Sequence, residues 1–336
     1  MSDSRELGSI VFGATGVVGD AIVRLLSEKA SGTSNAAVVI AVSRKESIPS
    51  LSSLPGVCCK QGDALDEQKT IELCQGTSVI YASIGLPYSS PVWEKNFPKI
   101  VESLLKAAEA TGAVLVWVDN LYMFGPEAAN SGIPMKECSR DLTEYGRKPA
   151  LRARMDKMML EAADHGRCKV ALVRASDFYG PGVINAVMGA DMWKGLLKSG
   201  RGVVFGNPKY KHAFTFVPDL ARAVVAVAEA GESAWGRAWH CPNAPAEPVT
   251  DVVQKAARAC ERTKPPTIWE ISGITAAFLG LFIPPLGEIR EMSFVWNHDY
   301  LVDHSDFAAK FPDFGLPTPM EEGLQLTAEW WRRQEK

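Results

Sequence analysis

Three glycines spaced three residues apart constrain this chain more than any other feature of its sequence. Gly13, Gly16 and Gly19 directly follow the apolar run at residues 9–12, and apolar residues recur at helical spacing after them. The first glycine permits a tight turn, and the second lets a pyrophosphate approach backbone amides at the start of a helix. The third lets the helix pack closely against the strand. Because the pattern lies between a strand and a helix, it predicts a dinucleotide-binding loop rather than a glycine-rich turn without a ligand. The residues between the glycines, Thr15, Val17 and Val18, are expected to contact the same ligand.

Apolar, β-branched runs alternate with helical patterns through the first half of the chain. Such alternation, with nearly continuous apolar strands, is typical of a parallel sheet covered on both faces. We therefore expect an α/β, doubly wound parallel sheet, the Rossmann arrangement. The predicted strands are 9–12, 36–42, 57–60, 79–82, 113–118 and 170–173.

The second half of the chain has a different pattern. Shorter strand-like pieces are interleaved with helices, and proline and tryptophan become frequent. We expect a dinucleotide-binding Rossmann domain at 1–182 and a smaller C-terminal substrate lobe at 183–336, interwoven with the first. The predicted elements of this half are strands at 203–205, 213–217 and 237–240 and helices at 219–230, 250–262 and 320–331.

Charge and apolar segments limit the expected partners and location. The net charge is −3 with no cluster of basic residues, so nucleic acid is not expected as a partner. The most apolar late stretch, 271–286, is too short to cross a bilayer and contains Pro284-Pro285, so no membrane association is expected.

The seven cysteines are odd in number and lack C-x-x-C spacing, which predicts buried thiols in a reducing compartment. With five scattered histidines, no metal site is predicted. The N-terminus is polar and does not resemble a signal peptide, so we expect a cytoplasmic protein.

The end of the second predicted strand indicates which dinucleotide is bound. NAD-preferring folds place an acidic residue there to bind the ribose 2′-hydroxyl. This chain instead has Ser43, Arg44 and Lys45, which suit a 2′-phosphate through a guanidinium fork and a hydroxyl. The sequence therefore predicts NADP(H), with NAD(H) less favoured. The alternative is that both basic residues lie on a solvated loop.

A second pair of cofactor candidates follows the third predicted strand. Asp63 can accept a hydrogen bond from the adenine amino group, and Ala64 lies beside it. An equally good interpretation is that Asp63 caps the following helix.

These motifs together resemble the extended short-chain dehydrogenase/reductase superfamily, the group of NAD-dependent epimerases and dehydratases. The resemblance covers nearly the whole chain and adds Ser83 to the cofactor-binding candidates. It also implies a dinucleotide-dependent enzyme, a helix cap at Asp219, and a homodimer through the helices near Ile100 and Met155. Besides the glycine loop and Gly62-Asp63, the motifs that carry it are Ala82-Ser83-Ile84-Gly85, Tyr122-Met123-Phe124-Gly125, the run from Val173 to Gly182, and the run from Phe214 to Ala221.

The catalytic residue types of the family do not recur at the matching positions of this chain. The family uses a serine or threonine, a tyrosine, and a lysine four residues after it, which lowers the tyrosine pKa and binds the nicotinamide ribose. Counted back from Gly125, the serine position holds Asn120, whose amide can donate to a carbonyl but cannot relay a proton. Tyr145 and Lys148 are one residue too close for the family spacing. Since Pro149 suits a first helical position, Tyr145 is expected before the helix.

A second alignment places Lys148 at the tyrosine position and Arg152 at the lysine position. In this alignment, which we favour, Arg152 binds the ribose hydroxyls and Lys148 donates the proton if burial lowers its pKa. The alternative is two solvated charges at a helix start. Tyr122 and Tyr179 are other candidate acids, although packing roles are expected for both.

The second half favours a small apolar or aromatic substrate. Its tryptophans include five at positions 193, 235, 239, 269 and 296, although core packing explains them equally well. A sugar-nucleotide site would require cations for the diphosphate, for which Arg201 and Arg222 are the candidates. His212 is expected to be structural.

Three functions are compatible with these residues. The first is an NADP-dependent oxidoreductase that reduces a carbonyl or activated double bond of a small apolar metabolite. The second is a redox-neutral isomerase, cyclase or lyase on the same scaffold. The third is a non-catalytic NADP(H)-sensing regulator.

Overall fold

The computed structural model describes residues 8–31, 38–137, 142–271, 288 and 290–335. Its centre is a seven-stranded, fully parallel sheet, so the predicted α/β, doubly wound fold is confirmed. The sheet strands are β1 (Gly8–Phe12), β2 (Val39–Ser43), β3 (Val57–Gln61), β4 (Thr77–Ala82), β5 (Val114–Asp119), β6 (Lys169–Arg174) and β11 (Arg237–His240). In spatial order they are β11-β6-β5-β4-β1-β2-β3.

Helices cover both faces of this sheet, because alternate strand residues point to opposite faces. Val11 packs into one apolar cluster with residues of the first and eighth helices, and Ile10 and Phe12 pack into another with the fourth and sixth. All three side chains are buried. The described helices are α1 (Val17–Ser31), α2 (Pro49–Ser52), α3 (Glu67–Cys74), α4 (Ser90–Thr111), α5 (Gly125–Ala129), α6 (Lys148–Asp164), α7 (Ala190–Ser199), α8 (Val217–Glu229), α9 (Val249–Ala259), α10 (Ser305–Lys310) and α11 (Met320–Gln334).

The C-terminal half contributes to the main sheet and also builds a second layer. Strand β11 pairs with β6 at the sheet edge, and α8 packs against α1. Both halves of the chain therefore build the main sheet. The division into a dinucleotide-binding domain at 1–182 and a substrate lobe at 183–336 stays a prediction about which part binds which ligand. The remaining strands are β7 (Asp177–Tyr179), β8 (Arg201–Phe205), β9 (Lys211–His212), β10 (Phe214–Phe216), β12 (Glu247–Pro248) and β13 (Thr267–Ile271). They form three two-stranded pairs, β10–β7, β12–β9 and β13–β8, and a third apolar cluster joins α7, α9 and α11.

The sheet order reverses between β1 and β4, and this reversal positions the site. In open parallel sheets, ligands bind at the carboxyl ends of the strands where the order reverses. The loops that follow β1, β4 and β5 meet there, and they carry the glycine loop, Ser83 and Asn120.

Some predicted local roles differ in the structure. Asp219 lies inside the first turn of α8 and does not cap it, because its carboxylate accepts from Thr318 N at 2.7 Å and from Arg222 Nη1 at 2.9 Å. The helix after β3 is capped by Asp66, which accepts from Lys69 N, and not by Asp63.

The residues named for a dimer face inward. Ile100 and Met155 are buried in the cluster between α4 and α6, and the outward residues of α6 include Arg154, Lys157 and Glu161. A dimer through these helices would therefore rest on charged residues, and it stays a prediction.

Within the described ranges, no helix is long and apolar enough to cross a membrane. The apolar stretch at 271–286, predicted as core or pocket wall, lies almost wholly outside those ranges. The six described cysteines are free thiols, and burial raises the pKa of several of them, Cys74 to about 12 and Cys168 and Cys260 to about 11. In the part of the chain that the structure describes, no group of His, Cys, Asp and Glu side chains could hold a metal ion.

Candidate functional site

A cavity of about 520 Å³ lies at the carboxyl ends of the central strands. It is lined by the glycine loop, by the loops after β4 and β5, and by residues from β7, β8 and the chain near residue 300. Apolar side chains dominate its wall, with a few polar groups among them. A pocket of this size and lining can hold part of a dinucleotide together with a small substrate.

The glycine loop has a geometry that fits a pyrophosphate. Gly13 adopts a φ of +80°, which favours glycine, and a Cβ there would lie 2.4 Å from the carbonyl oxygen of Ser83. A Cβ on Gly19 would lie 2.2 Å from the carbonyl oxygen of Gly13, so the helix approaches the loop closely. Gly16, Val17 and Val18 line the cavity where α1 begins, and first-turn amides have no partner within a helix. The loop therefore offers donors and a positive helix end to an anion. Thr15 is exposed in the turn.

The predicted specificity loop is exposed, as access by a 2′-phosphate requires. The Arg44 side chain is exposed and Ser43 is buried at the end of β2. The Ser43 hydroxyl accepts from Lys45 N at 3.0 Å, which leaves its own proton free to donate. The three residues at this strand end, 43–45, include no carboxylate.

The remaining cofactor candidates lie on the same side of the sheet. Ser83 lines the cavity and its hydroxyl donates to Phe12 O at 3.3 Å. Asp63 accepts from Leu65 N at 3.0 Å within its turn, and Ala64 is buried. Asp63 therefore keeps lone pairs for an adenine amino group.

Asn120 lines the cavity with a determined orientation. Its Oδ1 accepts from Tyr122 N at 3.0 Å. Because only an oxygen can accept from that N–H, the amide nitrogen must be the group left to donate elsewhere. Asn120 can therefore donate to a carbonyl oxygen in the cavity.

Arg152 also reaches the cavity, held by a buried ion pair. Its Nη1 donates to Asp119 Oδ1 at 3.0 Å, and its guanidinium lies 4.8 Å and 4.3 Å from the ring centroids of Trp93 and Phe97. Asp119 also accepts from Trp117 Nε1 at 3.1 Å, and both charged side chains are buried. Arg152 Nε is buried without a partner among the described residues, which leaves a donor for a ligand hydroxyl.

Lys148 and Tyr145, in contrast, do not line the cavity. Lys148 is fully buried, and its Nζ donates to Ser90 Oγ at 3.0 Å and pairs with Glu288. Tyr145 precedes α6, as predicted, and is 42% exposed, with its hydroxyl 3.4 Å from Glu291 O. The structure therefore brings Asn120 and Arg152 together but leaves Lys148 and Tyr145 outside the cavity wall.

Two phenols line the cavity close to Lys148. The Tyr88 ring lies under Lys148 Nζ, 4.5 Å from Nζ to centroid, and packs edge-on against Trp93. The hydroxyls of Tyr122 and Tyr88 are hydrogen-bonded to each other, and burial raises the pKa of both phenols. Both are therefore neutral proton donors near Asn120. Packing roles were expected for both Tyr122 and Tyr179. Tyr179 is buried in the core against Phe216, whereas Tyr122 lines the cavity.

A further polar set lies where β7 and the chain near residue 300 line the cavity. Asp177 Oδ2 accepts from Trp296 Nε1 at 3.0 Å and lies 3.0 Å from His212 Nε2. That contact is poorly aligned, since His212 Nε2 makes no hydrogen bond among the described residues. His212 is buried behind Asp177 and does not line the cavity, which agrees with a structural role. Tyr300 stacks on the His212 ring at 5.1 Å and does line it.

Other candidates from the second half lie elsewhere. Arg201 lies over the exposed ring of Trp269, and Arg222 binds Asp219 and Phe314 O, so neither reaches the cavity. Of the five tryptophans, only Trp296 lines the cavity, whereas Trp193 and Trp239 are core residues.

Sequence reasoning missed Tyr88, Asp177 and Tyr300. Tyr88 could have been found, because it lies in the loop after β4, at the carboxyl end of a central strand. Asp177 lies inside one of the family motifs, although no role is assigned to it there. No local signal marks Tyr300, which the fold brings from more than 100 residues away in the chain.

Residues 9–240 match the sequence model of the NAD dependent epimerase/dehydratase family. No curated protein sequence matches the chain. Solved structures with the same fold include a dTDP-glucose 4,6-dehydratase from Bacillus anthracis in complex with NAD, at 16% identity and a TM-score of 0.75, with 98% of this chain and 97% of that chain covered. A second is a dTDP-glucose 4,6-dehydratase double mutant from Streptomyces venezuelae with NAD bound, at 16% identity and a TM-score of 0.77, with 97% of both chains covered. A third is a UDP-N-acetylglucosamine 4-epimerase from Methanobrevibacter ruminantium, at 15% identity and a TM-score of 0.76, with 98% and 99% covered. At these identities the likeness shows the fold.

Proposed function

Because the chain belongs to the NAD dependent epimerase/dehydratase family, we propose that it is an enzyme that moves a hydride between a nicotinamide dinucleotide and a substrate carbonyl carbon. The observation that carries this proposal is that the glycine loop, the Asn120 amide and the Tyr88–Tyr122 phenol pair line one cavity. A bound dinucleotide supplies or accepts the hydride. The side chains beside it orient the substrate and move the proton.

Each polar residue takes a role that its contacts permit. Asn120 donates from its amide nitrogen to the substrate carbonyl oxygen and polarises it. Tyr122, backed by Tyr88, gives its proton to that oxygen as the hydride reaches the carbon, which completes reduction to an alcohol. Arg152 binds ribose hydroxyls through donors that Asp119 leaves free. Lys148, beneath which Tyr88 packs, positions that ring and does not donate the proton itself.

The proposed cofactor is NADP(H). This preference rests on Arg44, which is exposed at the end of β2 where NAD-preferring folds hold an acid. Among solved structures of this fold, the two dehydratases hold NAD. NAD(H) is therefore the alternative that the experiment must exclude.

The test is a titration of NADPH and NADH, followed by protein fluorescence, in wild type, in Arg44→Ala and in the control Lys169→Ala. Lys169 is exposed at the start of β6, and its change removes the same charge. Loss of a charge-assisted contact should weaken NADPH binding by about 10- to 100-fold in Arg44→Ala only. Equal affinity of wild type for both nucleotides would refute the NADP preference, and binding of neither would refute the enzyme proposal.

A second candidate function is a redox-neutral epimerase or dehydratase reaction. Family membership and the activities of the structural neighbours favour it. In such a reaction the dinucleotide returns to its starting oxidation state, so product forms without net change in the absorbance of the reduced nicotinamide. Stoichiometric NADPH oxidation would favour the reductase instead. Binding of NADPH without any turnover would favour the regulator.

The proposed substrate is small and largely uncharged. The cavity wall is mainly apolar, and its volume must also admit the nicotinamide end of the cofactor.

A further inference from the structure

One carboxylate oxygen on the cavity wall, at Asp177, lacks a partner among the described residues. Trp296 Nε1 and His212 Nε2 both lie 3.0 Å from Oδ2 of Asp177, whereas Oδ1 makes no hydrogen bond among the described residues. The side chain is 14% exposed and lines the cavity. Asp177 is therefore held in place by one oxygen, and the other stays available as an acceptor.

Tyr300 supplies a second unpartnered group on the same wall. Its side chain is 1% exposed and lines the cavity, and its hydroxyl has no hydrogen-bond partner among the described residues. A buried hydroxyl without a partner is costly, so such groups are retained where a ligand or water completes them. Stacking on His212 fixes the ring.

The charged side chains of the cavity wall disfavour binding of an anion beside Asp177. Among the described lining residues, the charged ones are Asp119, Asp177 and Arg152. Arg152 pairs with Asp119, which leaves the negative charge of Asp177 without a cation beside it in the lining. Residues 272–287, which the structure does not describe, contain no lysine or arginine. His212 lies behind the carboxylate and does not line the cavity, so the group that Asp177 presents there is an acceptor oxygen.

We propose that Asp177 and Tyr300 form a substrate subsite that takes a hydrogen-bond donor, a hydroxyl or a protonated amine, and rejects negatively charged groups. This inference rests on the proposed function, because it concerns the substrate of the same cavity. It assigns to the substrate, besides the reacting carbonyl, an uncharged or cationic group that donates a hydrogen bond. A phosphorylated, nucleotide-linked or carboxylated substrate is excluded at this wall by repulsion from Asp177.

The test measures binding of four ketones that differ only in the remote group. They are cyclohexanones bearing a hydroxyl, amino, methyl or carboxyl group on the ring carbon opposite the carbonyl, titrated by calorimetry into the protein with NADP⁺, so that no reduction occurs. Wild type should bind the amino and hydroxyl ketones more tightly than the methyl ketone, and the carboxyl ketone most weakly.

Two variants assign the effect to the two side chains. Asp177→Asn keeps the shape and should weaken the amino ketone by about thirtyfold while improving the carboxyl ketone. Tyr300→Phe should weaken the hydroxyl ketone by about tenfold and leave the methyl ketone unchanged. Asp251→Asn, at an exposed position of α9, removes the same charge and should change nothing.

The subsite proposal is overturned if the carboxyl ketone binds as tightly as the hydroxyl or amino ketone, if Asp177→Asn leaves the preference unchanged, or if none of the four ketones binds. Its failure is distinct from failure of the proposed function. The preference is read without turnover, whereas the enzyme proposal fails if no hydride is transferred even to a ketone that binds.

Discussion

The buried pair Asp119–Arg152 allows the site to be tested through protein stability. Asp119→Asn preserves side-chain shape but leaves the Arg152 guanidinium, whose side chain is 8% exposed, without a counter-charge. An uncompensated buried charge costs about 3–5 kcal/mol of unfolding free energy. The substitution also removes the carboxylate oxygen that accepts from Trp117 Nε1 at 3.1 Å. The free-energy cost of losing that hydrogen bond is included in the same range of about 3–5 kcal/mol. We therefore expect Asp119→Asn to lower the free energy of unfolding by about 4 kcal/mol.

The reasoning requires that removing Arg152 as well restores stability. In the double variant Asp119→Asn/Arg152→Met the buried charge is gone, and the new thioether side chain keeps apolar contact with Trp93 and Phe97, so most of the loss should be recovered. Urea unfolding of the protein without cofactor measures the free energy of unfolding of wild type and of each variant. Glu67→Gln, in the exposed pair with Lys106, is the control and should cost less than about 1 kcal/mol. A small cost for Asp119→Asn, or a double variant less stable than the single one, would refute the account.

Three further predictions concern the loop, the pH dependence and the proton donor. Gly19→Ala places a Cβ 2.2 Å from Gly13 O, so the loop must shift, and NADPH affinity should fall by at least about tenfold with the fold retained by circular dichroism; unchanged affinity would contradict this. Burial raises the pKa of Glu137 from 4.5 to about 7, so the folded state holds that proton longer than the unfolded chain does. The free energy of unfolding should then fall by up to about 3 kcal/mol as the pH rises from the unfolded pKa to the folded one, a decline that Glu137→Gln should remove. Tyr122→Phe should lower the rate of carbonyl reduction by about 10²- to 10⁴-fold at unchanged NADPH affinity. Because burial raises the pKa of Tyr122 and Tyr88, the wild-type rate should not fall between about pH 6 and about pH 9, and a loss of rate in that interval would assign the proton to another group.

Features that depend on neighbouring residues could be predicted from the sequence. Gly13 and Gly19 are six residues apart in the chain and approach each other closely in the loop. Their spacing after an apolar strand therefore indicates a ligand-binding loop before any tertiary contact is known. The strand–helix alternation indicates a covered parallel sheet for the same reason, because period and burial are local properties of the chain. The position of Tyr145 before α6 also followed from Pro149.

Features that depend on contacts between distant segments required the tertiary structure. Nothing in the sequence near residue 237 shows that this strand pairs with β6 in the main sheet. Lys148 and Arg152 are four residues apart on α6, yet Lys148 faces Ser90 and Glu288, while Arg152 faces Asp119 and the cavity. Only the fold decides between these environments, because the partners come from other parts of the chain.

The sequence by itself thus determined the fold class and the family and predicted the phosphate-binding loop, since each rests on short-range patterns of residues. The tertiary structure decided which side chains line the cavity. Tyr88, Asp177 and Tyr300 come from three segments that are far apart in the chain, and packing of the C-terminal half against the sheet brings them to one cavity. Chemistry at a cavity depends on distance in space, which local sequence patterns do not encode.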